Sequence, residues 1–107
     1  MATIKAKHYL RVKNRFPDFL SAVESLGSVA KKEGPLDGKN AQLIQLAAAA
    51  AIRSEGAVHS HTRRALEAGA HVDEIYHALI ILTSTIGFPN VMAALSWAED
   101  VLEKGAE

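Results

Sequence analysis

The stretch of residues 54–70 carries signals for both ends of a single helix. Ser54 is a favoured N-cap residue, and Glu55 places a carboxylate in the first turn, where the helix dipole stabilises negative charge. Gly69 favours the left-handed conformation that ends a helix, and Arg63 and Arg64 lie towards the negative end of the dipole. The stretch therefore predicts one short, capped helix near the middle of the chain.

Two histidines lie inside this predicted helix, two positions apart. At about 100° per residue, the side chains of His59 and His61 point about 200° apart, so one site on a regular helix cannot use both. His61 shares a face with Ala57 and Ala65, which predicts an inward position. His59 shares a face with Glu55, so we expect it to be exposed and His61 to be buried.

The segments on either side also have the apolar spacing of helices. Apolar residues recur every three or four positions, and strand-like alternation is absent. Helix starts are indicated at Pro17, Asp37, Asp73-Glu74 and Pro89, and a short helix is also compatible with the basic N-terminal arm, residues 1–16. The sequence predicts a single all-α domain over residues 1–107, a compact bundle of about six short helices.

One predicted helix, residues 72–86, is apolar on nearly every side. Ile75, Leu79 and Leu82 form one face, whereas Ile80 and Ile81 add apolar surface elsewhere. A helix that is apolar all round is buried on most sides, and a small monomer has little core to cover it. This helix predicts contact between subunits, and so a homo-oligomer.

Composition narrows the class of protein. The chain has 12 basic and 12 acidic residues, a balance that argues against a general nucleic-acid or membrane-surface binder. It has no cysteine, and no segment with the apolar length of a signal peptide or a membrane span. We expect a cytoplasmic protein with no nucleic-acid partner and no membrane partner.

Several short motifs follow one another in an order typical of one protein family. They are Leu36-Asp37-Gly38-Lys39, an apolar run from Leu43, His-Thr-x-x-Ala-Leu-x-Ala-Gly-Ala from His61, Asp73-Glu74-Ile75 and Gly87-Phe88-Pro89. Together, over residues 36–103, they resemble the carboxymuconolactone decarboxylase and alkylhydroperoxidase-D-like family. The resemblance implies an alkylhydroperoxidase-D-like helical fold and assembly into homo-trimers or homo-hexamers.

The chain departs from this family at its reactive positions. Peroxidase-type members carry Cys-x-x-Cys-x-x-x-His, and alignment on His61 puts Ser54 and Ala57 where the cysteines belong. Gln42 stands where these members have a glutamate on the preceding helix, and Ala57 again stands where decarboxylase members have one. Because thiol chemistry requires a thiolate, the chain lacks the groups for thiol-dependent peroxidase activity.

His61 is the main catalytic candidate, as a general acid or base, with a buried structural histidine as the alternative. Glu55 is the second: with His59, at i and i+4, it forms either an acid–base couple or an exposed ion pair. Ser54, Gln42 and His59 are candidate substrate-binding residues, although a plain N-cap role is the more usual explanation of Ser54. His59-x-His61 lacks the spacing of two metal ligands on one helix face. A site between subunits through His71 or His77 remains the alternative, and we expect no metal and no cofactor.

Two functions fit these residues. The first is an acid–base lyase that acts on a small carboxylated or lactone substrate through His61. Such a reaction also needs a cation or dipole to stabilise developing charge, for which the helix start at Ser54 and a basic side chain are candidates. The second is a catalytically degenerate family member that binds a small molecule or serves in assembly, which the residues at Gln42 and Ala57 favour.

Overall fold

The computed structural model describes residues 4–106, and side chains within residues 7–103. Over that range every regular element is an α-helix and no strand occurs, which confirms the all-α prediction. The helices are α1 (Ile4–Arg15), α2 (Pro17–Lys32), α3 (Gly38–Ala51), α4 (Glu55–Glu67), α5 (Val72–Ile80), α6 (Thr83–Ile86) and α7 (Phe88–Ala106). No helix in this range has the length and apolar composition needed to cross a membrane.

The chain forms two compact units, Met1–Pro35 and Leu36–Glu107. In the first unit, α1 packs on α2. Tyr9 Oη donates a hydrogen bond to Glu24 Oε2 at 2.7 Å, and Lys13 Nζ lies 3.5 Å from the same oxygen. The basic N-terminal arm thus contains a helix, which the sequence allowed but did not require.

In the second unit, α3 and α4 form an antiparallel pair against which α5 and α7 pack. The turn between α3 and α4 is closed by a hydrogen bond from Ser54 N to Ala49 O at 3.0 Å. The core contains the buried side chains of Leu46, Ala49, Ala50, Val58, Ala65, Ala70, Ile75, Leu79, Ala94 and Ala98. Small alanines in this set let the helix backbones approach closely.

The predicted helix ends are present. Asp37 Oδ1 accepts a hydrogen bond from Asn40 N at 2.8 Å at the start of α3, and Ser54 Oγ accepts one from Ala57 N at 3.4 Å at the start of α4. Gly69, with φ of 98°, ends α4 in the left-handed region. These three predictions are confirmed because each depends only on neighbouring residues.

The prediction of one helix over residues 72–86 is wrong. Helix α5 ends at Ile80, and the single-turn α6 begins at Thr83. At the break, Thr83 Oγ1 donates to the carbonyl oxygen of Ile80 at 2.7 Å, which satisfies a backbone acceptor at the end of α5. Ile80 and Ile81 remain exposed beside the break.

Candidate functional site

The pairing of α3 with α4 brings Gln42 and His61 together. Gln42 Oε1 lies 2.8 Å from His61 Nδ1. Gln42 is only 7% exposed, so its amide is held by surrounding helices rather than by water, whereas His61 is partly buried. The two candidate residues named from separate helices of the sequence therefore form one hydrogen-bonded couple.

The chemistry of the two groups defines the proton in this bond. An amide oxygen only accepts, so Nδ1 of His61 is the donor, and the basic lone pair of the neutral imidazole is on Nε2. The protonated ring keeps the same bond, because both nitrogens are then donors. Gln42 consequently orients the ring in both protonation states and contributes no net charge to it.

His59 lies on the other side of α4 and reaches α7. Its Nε2 lies 3.0 Å from Asp100 Oδ2, and its side chain is 14% exposed, against 56% for Asp100. The prediction of an exposed His59 is therefore wrong. The face that carries His59 and Glu55 looks polar in the sequence, but α7 packs on α4 and covers the imidazole. As predicted, His59 and His61 face different surroundings.

Ser54 and Glu55 occupy the start of α4. Ser54 acts as the N-cap, as expected from its alternative structural explanation, and both residues are partly buried. Glu55 precedes His61 by six positions, which on a helix is a separation of about 9 Å along the axis and roughly 120° around it. Glu55 therefore lies on a different face of α4 from the imidazole of His61.

Arg53, which precedes these residues, has a backbone conformation unusual for its type. Its φ is 57°, in the left-handed region that usually favours glycine. The side chain crosses to α7, where the guanidinium donates from Nη1 to Asn90 Oδ1 and lies 5.8 Å from the centre of the Trp97 ring. Asn90 Nδ2 donates in turn to the carbonyl oxygen of Ile86 at 2.6 Å, which fixes the amide orientation. Trp97 is thus a partner of Arg53.

A charged pair links α3 to α5, one turn from Gln42. Lys39 Nζ lies 2.9 Å from Glu74 Oε2, and the other carboxylate oxygen of Glu74 accepts from His71 N at 2.9 Å. The pKa of the Glu74 carboxyl is lowered, first by that backbone hydrogen bond and then by Lys39. Glu74 raises the pKa of the Lys39 ammonium through its hydrogen bond and its charge. Both groups are thereby held in their charged forms.

Two side-chain oxygens, Gln45 Oε1 on α3 and Thr62 Oγ1 on α4, are enclosed without a hydrogen-bond partner in the described structure. Thr62 is fully buried, whereas Gln45 as a residue is partly exposed. Orphaned polar atoms of this kind are rare in folded proteins. Gln45 follows Gln42 by one turn on α3, and Thr62 follows His61 on α4.

Within residues 7–103, no three histidine, aspartate or glutamate side chains converge in a way that would hold a metal ion. His71 and His77 are exposed on or beside α5. The groups that sequence reasoning missed are Arg53, Asn90 and Asp100. Their contacts join segments 37 and 41 residues apart, and no local pattern indicates such pairs.

Comparison with known proteins agrees with this architecture. The model of the carboxymuconolactone decarboxylase family matches residues 17–100. An uncharacterized protein of Methanocaldococcus jannaschii is 32% identical over 92 residues, which is 86% of this chain and 83% of that protein. The crystal structure of an apo carboxymuconolactone decarboxylase family protein from Legionella pneumophila is 26% identical, has a TM-score of 0.78, and aligns over 91% of this chain and 87% of that one. On the extent of these matches, the chain belongs to the carboxymuconolactone decarboxylase family.

Proposed function

We propose that the protein is an acid–base lyase that acts on a small carboxylated or lactone substrate, with His61 as the proton-transfer group. The observation that carries this proposal is the hydrogen bond of 2.8 Å between His61 Nδ1 and Gln42 Oε1. The acceptor at Nδ1 fixes the orientation of the ring. Nε2 therefore points in one defined direction, as a general acid or base requires. Family membership supports the class of reaction.

The proposed step is a decarboxylation followed by protonation. The carbon–carbon bond to the carboxylate breaks, carbon dioxide leaves, and the electron pair of that bond remains on the substrate as a carbanion or enolate. The imidazolium of His61 then donates its Nε2 proton to that carbon, while its Nδ1 proton stays on the bond to Gln42. The neutral imidazole recovers its proton from solvent before the next cycle.

The developing negative charge needs a stabilising partner. The start of α4 supplies the positive end of a helix dipole at Ser54, on the face that also carries His61 two turns later. Arg53, the residue before this helix start, adds a guanidinium on the α7 side, whose bond to Asn90 uses one of its five donors. In this proposal Ser54 serves substrate binding, and Glu55 and His59 serve as more remote polar groups of the same helix.

The test is release of carbon dioxide from carboxymuconolactone by the purified full chain. The natural protein should turn the compound over, and His61→Gln should lower kcat by about 10²–10⁴-fold. His77→Gln is the matched control, because it removes an exposed imidazole from α5. Equal rates in the natural protein and His61→Gln, or a loss of the same size in His77→Gln, would contradict the role of His61.

The alternative is a catalytically degenerate member that binds a small molecule or serves in assembly. The neutral amide of Gln42 favours it, because a carboxylate there would stabilise an imidazolium and an amide does not. Under this alternative, the protein binds small lactones or carboxylates without converting them. Binding seen by nuclear magnetic resonance, with no product after prolonged incubation, would support this function over the lyase.

We also propose that the protein is a homo-oligomer, a trimer or a hexamer. Within the second unit, large apolar side chains are exposed on or beside several helices: Ile44, Ile52, Ile80, Ile81, Phe88 and Met92. Large apolar side chains exposed in this number are typical of a protein that buries them between subunits. Light scattering at micromolar concentration should give a multiple of 11.5 kDa. A mass equal to that of one chain would rule out the assembly.

A further inference from the structure

Gln45 Oε1 is an acceptor that the fold encloses and does not use. It has no hydrogen-bond partner in the part of the chain whose side chains are described. Folded proteins pair the large majority of such atoms, because an unpaired acceptor carries the cost of its lost hydration without any return. We therefore look for its hydrogen-bond donor outside the described residues.

The register of α3 and α4 places Gln45 beside the His61 couple. The Gln42–His61 bond joins the second turn of α3 to the middle of α4, and the bond from Ser54 N to Ala49 O closes the turn between the two helices. Gln45 therefore lies at the level of the α4 turn that precedes His61. Gln42 and Gln45 at i and i+3 are neighbours on the surface of α3, with Cβ atoms about 5–6 Å apart.

The α4 residues at this level, Ala57 and the fully buried Val58, carry no hydrogen-bond donor in their side chains. Ala57 precedes His61 by one turn on the same face, and its methyl group is partly buried. Because Ala57 is short, the fold offers no side-chain donor from that position to Gln45. Gln45 as a residue is partly exposed although its oxygen is covered, so the amide lies near the surface, within reach of a molecule bound beside it.

Among the described residues, Thr62 carries a buried oxygen without a hydrogen-bond partner that a bound molecule cannot reach. Its Oγ1 also lacks a partner within the described residues, but the side chain is 0% exposed and lies in the closed core. A bound molecule has no path to it. Thr62 thus provides a matched comparison for Gln45 on the facing helix.

We infer that Gln45 is a specificity-determining residue whose amide oxygen accepts a hydrogen bond from a hydroxyl group of the ligand bound at His61. This inference rests on the proposed function, since it names the substrate group that the same site recognises. A ligand hydroxyl pairs an acceptor that folding has already removed from water. A ligand without the hydroxyl leaves that acceptor unpaired, and sites of this kind discriminate against such ligands.

The experiment compares two lactones that differ only in the hydroxyl, α-hydroxy-γ-butyrolactone and γ-butyrolactone. Each is titrated into the full chain, and Kd is read from chemical shift changes of the protein. We expect the hydroxylated lactone to bind about 3- to 10-fold more tightly, the range of one neutral hydrogen bond. Gln45→Met, of similar length but without an acceptor oxygen, should bind both lactones equally. Gln45→Glu keeps an acceptor and should retain the preference.

Thermal melts supply a second measurement that needs no ligand. Gln45→Met and Thr62→Val each remove one orphaned oxygen, and each should raise Tm by about 4 °C. Only Gln45→Met should abolish the preference for the hydroxylated lactone, because Thr62 lies in the closed core.

Three outcomes would overturn the inference in distinguishable ways. Equal affinities for the two lactones in the natural protein would remove the role of Gln45 and leave the lyase proposal standing. A preference that survives in Gln45→Met would place the hydroxyl contact on another residue. Failure of both lactones to bind would overturn the proposed ligand class itself, and the role of Gln45 with it.

Discussion

His61 Nδ1 and Gln42 Oε1 lie 2.8 Å apart, so the imidazole has an uncharged amide as its partner across the α3–α4 interface. A carboxylate in the same place would add a negative charge in direct contact with the ring. The difference decides how much the protein favours the imidazolium over the neutral ring, and therefore which half of acid–base catalysis the site performs more readily.

Gln42→Glu should make the His61 ring hold its proton to higher pH. A carboxylate at hydrogen-bond distance stabilises the imidazolium, and the titration midpoint of His61 should rise by about 1 unit or more relative to the natural protein. The measurement is a pH titration of the imidazole resonances by nuclear magnetic resonance. His77, exposed on α5, is the internal control and should not move. An unchanged His61 midpoint would mean that the two side chains do not share a proton bond in solution.

Glu74→Gln should make the stability of the protein fall less steeply as the pH is lowered. The pKa of Glu74 in the folded state lies below its ordinary value of 4.5, so its stabilisation is fully present above that pH and is lost as pH falls through the folded-state pKa. The variant should lose a small amount of stability at pH 7 and show a flatter decline towards pH 3. Thermal melts across this range measure the effect.

Asp73→Asn is the control for this prediction, because Asp73 is the exposed neighbour of Glu74. The stabilisation contributed by Lys39 depends on pH in the opposite direction. Its raised pKa means that its stabilisation is present below the ordinary value of 10.5 and is lost as pH rises through the folded-state pKa. Parallel curves for Glu74→Gln and the natural protein would contradict the assignment.

Arg53→Gly and Arg53→Ala should differ in stability although both remove the same guanidinium. At φ of 57°, glycine relieves the left-handed conformation and alanine does not. We expect Arg53→Ala to be less stable than Arg53→Gly by about 1 kcal/mol, measured by chemical denaturation. Because the lost contacts with Asn90 and Trp97 are common to both, they cancel in the comparison. Equal stabilities would show that the turn relaxes to another conformation.

The His59–Asp100 pair should contribute a small coupling energy. Asp100 is 56% exposed, so solvent screens its charge, and a double-mutant cycle with His59→Ala and Asp100→Ala should give about 0.2–1 kcal/mol. The cycle is run by thermal or chemical unfolding at pH 6, at one protein concentration. Strictly additive effects would mean that the contact adds nothing to stability. The His59→Ala change alone should cost more than an exposed histidine would, because α7 covers the ring.

The protein should not reduce alkyl hydroperoxides with a dithiol donor. Ser54 and Ala57 stand where peroxidase members carry their cysteines, and the chain has no thiol elsewhere. Peroxide consumption by the purified protein should equal that of a heat-inactivated control. Consumption above that control would require a reducing group other than cysteine.

Local sequence determined the helices and most of their ends. Asp37 and Ser54 cap α3 and α4 through their own side chains, and Gly69 ends α4, because each signal acts within a few residues of itself. The same local rules failed at the end of α5. Apolar spacing continues through residues 80–86, but Thr83 bonds to the carbonyl of Ile80 and starts a new turn, which periodicity does not reveal.

Only the tertiary structure decided which side chains meet. Gln42 and His61 were named from separate helices, but the α3–α4 pairing sets the distance between them. His59 lies on a face that looks exposed in the sequence, and α7 covers it through Asp100, 41 residues away. Arg53 stands where glycine is the usual residue at a helix end, so its contacts with α7 had no local signal. Helix periodicity says which residues share a face; it does not say which helix will pack there, because that depends on how all the faces are buried together.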